Sequence, residues 1–207
     1  MIDVVTHENR DQYQDMLDQM FRQRKQVFID QLGWDLPATG DMEIDQYDDD
    51  RSTYLLASDD GRNVTGSIRI LPTVTPHLMS DLFEGFCAAG VPVSENIWEV
   101  SRIYTMTPTL RPKDRIRAAA EIMSGVCEYA MLYGVEEVTM VSYMANMPII
   151  IGLGYDVTPL GLPIEYKDGN TYVASTMRMN PAGLQNARDM HGLPSPVLST
   201  IRTKVAA

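Results

Sequence analysis

Residues 53–71 read TYLLASDDGRNVTGSIRIL, and their pattern decides the fold class. Thr53 to Ala57 and Val64 to Leu71 are rich in side chains that suit a pleated, half-buried surface. Asp59-Asp60-Gly61 between them tolerates the positive φ of a tight turn, so the stretch predicts an antiparallel hairpin. Upstream, Arg10 to Leu32 sets Tyr13, Met16, Leu17, Met20, Phe21, Val27 and Phe28 mostly three or four apart. That is the spacing of helix burying one face, best fitted by two helices with a break. Between Gly33 and Asp50 the pattern dissolves into Gly, Pro and Asp, too long a stretch for a simple turn and therefore a candidate binding loop. Downstream, Ile97 to Met106 predicts a strand, and Pro112 to Tyr133 a long helix stopped by Gly134. Glu137 to Ser142 predicts a buried strand, Ala145 to Leu153 a short helix before Gly154, and Asp156 to Leu160 and Tyr172 to Met179 two more strands. The sum is an α/β fold, a mixed and mostly antiparallel sheet flanked by helices. We expect one domain over residues 1–207, with Ile201 to Ala207 loosely held.

Lysine and arginine total 17 against 28 aspartates and glutamates, a net charge of −11, which argues against a nucleic-acid backbone as the main partner. Met1 to Arg10 carries no apolar leader, and the most apolar run, Met147 to Leu153, is far too short to cross a bilayer. A soluble, cytoplasmic protein without a membrane partner is expected. Cys87 and Cys127 lack paired spacing and His7, His77 and His191 are scattered, so neither a disulfide nor a metal site is indicated.

Chemistry concentrates in charged residues. Glu43-Ile44-Asp45-Gln46-Tyr47-Asp48-Asp49-Asp50 reads, taken alone, as a solvated acidic loop. Arg69, Glu99 and Arg102, however, interrupt otherwise apolar strands, where an ionised group is costly unless paired. Arginines and carboxylates are therefore expected to face each other, in a structural ion-pair network or in a binding site.

Five segments carry a specific resemblance: Arg24-x-x-x-Phe28, Leu32-Gly33-Trp34, Glu43-x-Asp45-x-x-Asp48, Gly66-Ser67-Ile68-Arg69 and Trp98-Glu99-Val100-Ser101-Arg102. In this order and spacing they resemble the signature of the LuxI-type acyl-homoserine lactone synthases, the autoinducer synthases of bacterial quorum sensing. The likeness runs from about Phe21 to Thr107 and is looser beyond, where Pro159-Leu160-Gly161-Leu162-Pro163 is similar to members that use coenzyme A thioesters. It implies a fold like that of the GNAT acyltransferases, an α-β-α sandwich. It also implies a reaction in which the amine of S-adenosylmethionine attacks an acyl thioester, followed by lactone closure with release of methylthioadenosine. S-adenosylmethionine would be a substrate, with no tightly bound cofactor.

On that reading Glu99 is the candidate general base, since attack requires a neutral amine. Asp45 pairs with the substrate ammonium, Arg24 and Arg102 organise Asp48 and the substrate carboxylate, and Arg69 orients Glu99. Phe28 and Trp34 offer aromatic faces to the sulfonium or adenine, or else serve in packing. The thioester is expected where the strand Ile97 to Met106 meets Glu137 to Ser142. Ser101, Ile103, Met123, Cys127, Met140, Ser142, Tyr143 and Met144 are candidates for the acyl pocket, against the alternative of plain core. No Gly-rich phosphate loop precedes the long helix. Arg111, Lys113, Arg115 and Arg117 stand there instead, as a dock for acyl carrier protein or for coenzyme A phosphates, or as solvated charge. Two other functions compete: an N-acyltransferase acting on a different amine, and a non-catalytic S-adenosylmethionine-binding module.

Overall fold

A computed structural model describes residues 1–106 and 111–199; the tail 201–207 lies outside the described residues. One eight-stranded sheet organises them. Its strands are β1 (Ile2–Val5), β4 (Thr53–Ser58), β5 (Val64–Pro72), β6 (Ile97–Thr105), β7 (Glu137–Tyr143), β8 (Val157–Pro159), β9 (Ile164–Glu165) and β10 (Thr171–Arg178), while β2 (Ala38–Thr39) and β3 (Met42–Glu43) form a separate small ribbon. The spatial order is β1-β4-β5-β6-β7-β10-β8, with β9 paired to β10. Every pairing is antiparallel except β6 with β7. The predicted hairpin is β4 and β5, turning through Gly61 at φ 71°.

Helices cover both faces. On one, α3 (Pro112–Leu132) sets Ile122, Met123, Val126 and Ala130 against Leu55, Ile68, Ile70 and Val100. On the other, α1 (Gln14–Arg24) sets Met16, Leu17 and Met20 against Val5, Tyr54, Leu56 and Tyr104. From Lys25 to Gln31 that helix widens into a π-helix, with Leu32 N donating to Val27 O at 3.0 Å, instead of breaking and restarting. Such widened turns are rare and often mark functional segments. This one carries Phe28 and follows directly on Arg24.

Several elements were not anticipated: the two-residue strands β2, β3 and β9, and three longer ones. β1 is only four residues long, and its strand identity comes from pairing with β4 rather than from any run of its own. α2 (Leu78–Leu82) is a five-residue helical turn inside a polar connection. α5 (Pro181–His191) had a legible start, since Asn180 Oδ1 accepts from Gly183 N at 2.8 Å and proline stands at the first helical position. A further short helix, α4 (Met147–Ile151), lies within the segment expected to be helical.

The feature that positions the site is a parting of strands. β6 and β7 pair only over Ile97–Glu99 and Glu137–Thr139, whereas β7 and β10 pair along the whole of β7. Beyond Glu99 and Thr139 a gap opens in the middle of the sheet. Among the described residues no helix is long and apolar enough to cross a membrane.

Candidate active site

A β-bulge aims the central arginine. The register of β5 on β6 runs Ser67 to Tyr104 and then Arg69 to Ser101, so Ile68 alone stands against both Arg102 and Ile103. Arg102 adopts φ 55°, a left-handed conformation that costs a non-glycine residue on the order of 1–3 kcal/mol. In an unbroken strand Glu99 and Arg102, an odd number of residues apart, would face opposite sides. The bulge changes the phase: Val100 packs in the core under α3, while Tyr104 packs in the core under α1. Arg102 thereby joins the α1 face. Gly66 makes the close approach possible, because a Cβ there would lie 2.7 Å from the Tyr104 carbonyl oxygen.

On that face three arginines and three carboxylates alternate in a closed ring. Arg24 donates from Nη1 and Nη2 to the two oxygens of Asp48 at 2.7 and 2.8 Å, and from Nε to Glu43 Oε2 at 2.6 Å. Arg69 Nη1 reaches Asp48 Oδ1 at 2.9 Å and Asp45 Oδ1 at 2.6 Å, with Nη2 on Asp45 Oδ2 at 3.1 Å. Arg102 Nη2 closes the circuit, donating to Asp45 Oδ2 at 2.8 Å and Glu43 Oε1 at 3.1 Å. Six full charges sum to zero, and the planar guanidinium fork suits the two-point contacts. The acidic stretch is thus no solvated loop: Glu43 and Asp48 have fully buried side chains. Burial alone would push the Asp48 carboxyl up; the hydrogen bond and charge of Arg24 and the charge of Arg69 instead hold it far below the usual carboxylate range. The only ring members with more than marginal exposure are Asp45 and Arg102, at 7% and 6% of their side chains.

Glu99 stands apart from this ring. Its Oε1 and Oε2 accept from the backbone N–H groups of Leu78 and Met79 at 3.1 and 2.6 Å, in the first turn of α2. Burial pushes its carboxyl up to about 7, against the opposing pull of those two N–H groups and of the Arg69 and Arg102 charges. The expectation that Arg69 orients Glu99 is therefore corrected. Arg69 commits its guanidinium to Asp45, Asp48 and the Ser101 hydroxyl, the last at 3.2 Å from Nε, and acts on Glu99 only through its charge.

Beside the ring, in the gap between β6 and β7, lies a cavity of about 520 Å³. Phe28 and Trp34 stack at its edge, centroids 5.0 Å apart and planes 21° from parallel, with the Arg102 guanidinium 5.7 Å from the Phe28 ring centre. Trp34 Nε1 donates to the Tyr143 hydroxyl, tying the segment after the π-helix to β7 across the gap. The deeper wall is apolar, including Val100, Ile116, Ala119, Met123, Met140 and Leu153. Of the residues expected around an acyl chain, Ser101, Ile103, Met123, Met140, Ser142 and Tyr143 line this cavity. Cys127 and Met144 do not. Cys127 points to the Asn180 carbonyl in the core beneath α3, and Met144, 44% exposed, begins the turn after β7.

The four cations before and within α3 do not form one patch. Arg115 lines the cavity. Arg111, bonded to Asp114 at 2.7 Å, and Arg117, near Glu121 at 3.8 Å, instead line a separate cleft of about 340 Å³, and Lys113 is exposed. A helix places residues two apart on different faces, which is why this sequence cluster divides. Glu43 joins the site with no role expected of it in the sequence, although three buried arginines need a third carboxylate beyond Asp45 and Asp48. His77 likewise comes to the site from a segment that reads as plain connection.

Known proteins resemble this chain over most of its length. Residues 8–180 match the autoinducer synthase family. An isovaleryl-homoserine lactone synthase of Bradyrhizobium diazoefficiens is 34% identical over 201 residues, covering 95% of this chain and 88% of that one. The coenzyme A-dependent acyl-homoserine lactone synthase BjaI, solved with S-adenosylmethionine and isopentyl-CoA, superposes with a TM-score of 0.86 at 32% identity over 96% of this chain and 92% of that one. A structure described as an N-acetyltransferase, from Lactobacillus plantarum, is 14% identical with a TM-score of 0.55 over 86% of this chain and 99% of that one, and shares the fold alone. With a sheet parted at Glu99 and Thr139, a charged ring beside the gap and this likeness over nearly its whole length, the chain belongs to the autoinducer synthase family, as an acyltransferase of the acyl-homoserine-lactone synthase group.

Proposed function

We propose that this chain makes an acyl-homoserine lactone from S-adenosylmethionine and a coenzyme A thioester, with the charged ring facing the amino-acid end of S-adenosylmethionine and the gap between β6 and β7 holding the acyl chain. One observation carries the reading: the two ring members with more than marginal exposure, Asp45 and Arg102, have opposite signs. They complement the ammonium and the carboxylate of an amino acid. The other four members are sealed and hold these two in place, which is the preorganisation that binding a zwitterion requires. Phe28 and Trp34, beside Arg102, offer a stacked aromatic edge to the sulfonium or adenine.

Glu99 is the proposed base. It takes a proton from the ammonium, directly or through one water, and a carboxyl held near neutrality is matched to that transfer. The freed amine adds to the thioester carbonyl, the new C–N bond forms, and the C–S bond breaks with departure of the thiol. Backbone groups of β6 and β7 beyond the end of their ladder are the candidates to receive the oxyanion. The methionyl carboxylate then attacks its own γ-carbon and expels methylthioadenosine. Coenzyme A is favoured over a carrier protein because the cationic cluster is divided and Arg115 alone meets the cavity, a poor match to an acidic protein surface but adequate for one phosphate. BjaI, so similar in fold, is itself coenzyme A-dependent.

The test is to incubate purified protein with S-adenosylmethionine and panels of coenzyme A and carrier-protein thioesters, and to identify products by mass spectrometry. Lactone and methylthioadenosine in equal amounts from a coenzyme A thioester are expected. An acylated amine without methylthioadenosine would make this an ordinary N-acyltransferase, and no turnover with any thioester would favour a binding module.

A further inference from the structure

His77 is fully buried, touches none of the ring residues by hydrogen bond, and stands with Nδ1 3.7 Å from Glu99 Oε2. It opens α2. Its Nδ1 accepts from Ser80 N at 3.0 Å, while its own backbone N–H donates to Ser80 Oγ at 3.0 Å, a reciprocal cap. That cap fixes the first turn, and the first turn supplies both N–H groups that hold the Glu99 carboxylate. An imidazole nitrogen that accepts from an amide carries no proton, so the proton of the neutral ring sits on Nε2, which is buried without a partner. Neither nitrogen has a lone pair left for the reaction.

The choice of residue is informative. Serine, threonine, asparagine and aspartate are the usual caps of a helical turn. An aspartate here would set a second carboxylate against Glu99, and like charges at that range oppose ionisation. Histidine, as a neutral ring, supplies the acceptor without the charge. The charged groups facing His77 are Asp81 from α2, Arg51 from the segment before β4, and Glu99 from β6; those facing Glu99 are Arg69 and Arg102. Asp81 is in turn bonded by the Tyr47 hydroxyl at 2.9 Å.

We infer that His77 is a positioning residue for Glu99: an uncharged cap that aims two backbone N–H groups at the carboxylate and keeps a competing negative charge away from it. The inference rests on Glu99 being the base. Its measurable consequence is the pH at which the reaction switches on. Losing the N–H donors, or adding a negative neighbour, makes Glu99 harder to ionise and moves the acidic limb of kcat/KM to higher pH.

The experiment follows thiol release from the acyl-CoA against pH at subsaturating substrate, for the parent and for His77→Asn, His77→Ala, His77→Asp, Ser80→Ala and Glu99→Gln. His77→Asn should keep the parental limb, His77→Ala should move it up by about one pH unit and His77→Asp by about two, with Ser80→Ala moving it less than His77→Ala. Thermal unfolding identifies any variant that fails to fold, and Ser80→Ala with His77→Asn then decides the matter. A limb that stays in place in His77→Asp, or in Ser80→Ala if the former does not fold, overturns the inference. If Glu99→Gln abolishes the limb while the His77 and Ser80 variants leave it in place, only the role of His77 fails. If Glu99→Gln keeps the parental limb, Glu99 is not the base and both readings fall.

Discussion

Asp48 and Glu99 are both carboxylates on one face of the sheet, both sealed from solvent, and the protein holds them in opposite states. Asp48 is gripped by two guanidinium groups and stays ionised far below its ordinary range. Glu99 is gripped by two backbone N–H groups, which carry partial charges only, and burial wins, raising it to about 7. Burial opposes ionisation at both positions, and the neighbours decide the outcome. A carboxylate matched to full positive charge becomes a structural and binding element. One bonded directly only to dipoles, with the arginine charges acting from a distance, remains free to exchange a proton near neutral pH.

The contrast between the two carboxylates depends most on the ring. Asp48→Ala leaves the ring with one buried positive charge too many and the guanidinium edges of Arg24 and Arg69 that faced Asp48 unbonded, and should cost on the order of 3–5 kcal/mol, read from the denaturant midpoint. A loss below about 1 kcal/mol would mean that the ring is loosely coupled. Next comes Glu99→Gln, which should keep the fold and S-adenosylmethionine binding yet lower kcat by about a hundredfold to a thousandfold, equivalent to about 3–4 kcal/mol.

A smaller effect lies in the pH dependence of stability itself. Because the folded-state value of Glu99 stands above its unfolded one, its stabilising contribution is complete below pH 4.5 and is lost as pH rises towards 7, at most about 3 kcal/mol. Asp48 has the opposite sign: its contribution is present above its unfolded value and is lost only as strong acid is approached. Unfolding measured between pH 4.5 and 7.5 should therefore show a decline that Glu99→Gln removes and that ring variants retain. Smaller again, Trp34→Ala should weaken S-adenosylmethionine binding by about tenfold, measured by calorimetry, through loss of the stacked edge. Last, Arg115→Glu should raise the KM for acyl-CoA roughly threefold to fivefold, less at high salt, with S-adenosylmethionine affinity unchanged.

The sheet was legible because its signals are local. Asp59-Asp60-Gly61 between two β-rich runs, and the long α3 from Pro112 to the glycine at 134, each depend on a few adjacent residues. β1 was not legible, since four residues become a strand only when β4 lies beside them. The ring was legible in its members and not in its connections. Charges in apolar strands had to pair, but which arginine meets which carboxylate depends on side-chain reach across β3, β5, β6 and α1. Reading alternation along β6 could not foresee that Arg102 shares a face with Glu99, because nothing in Ser101-Arg102-Ile103 announces a bulge. Cys127 and Met144 show the same limit in reverse: their residue types suit a pocket, and their positions do not.

The order of residues alone specifies the kind of protein: an α/β chain whose spaced arginines, carboxylates and aromatics carry the autoinducer synthase pattern. Backbone propensity and the cost of unpaired charge act residue by residue, and so leave a trace in the order of residues. That Glu43 closes the ring, that Glu99 rests on α2 under the His77 cap, and that β6 and β7 part after three residues beside a cavity emerges only in the folded chain. Those are contacts between segments far apart in the chain, fixed by packing and by the geometry of one bulge, where the energy belongs to the pair and to neither residue alone.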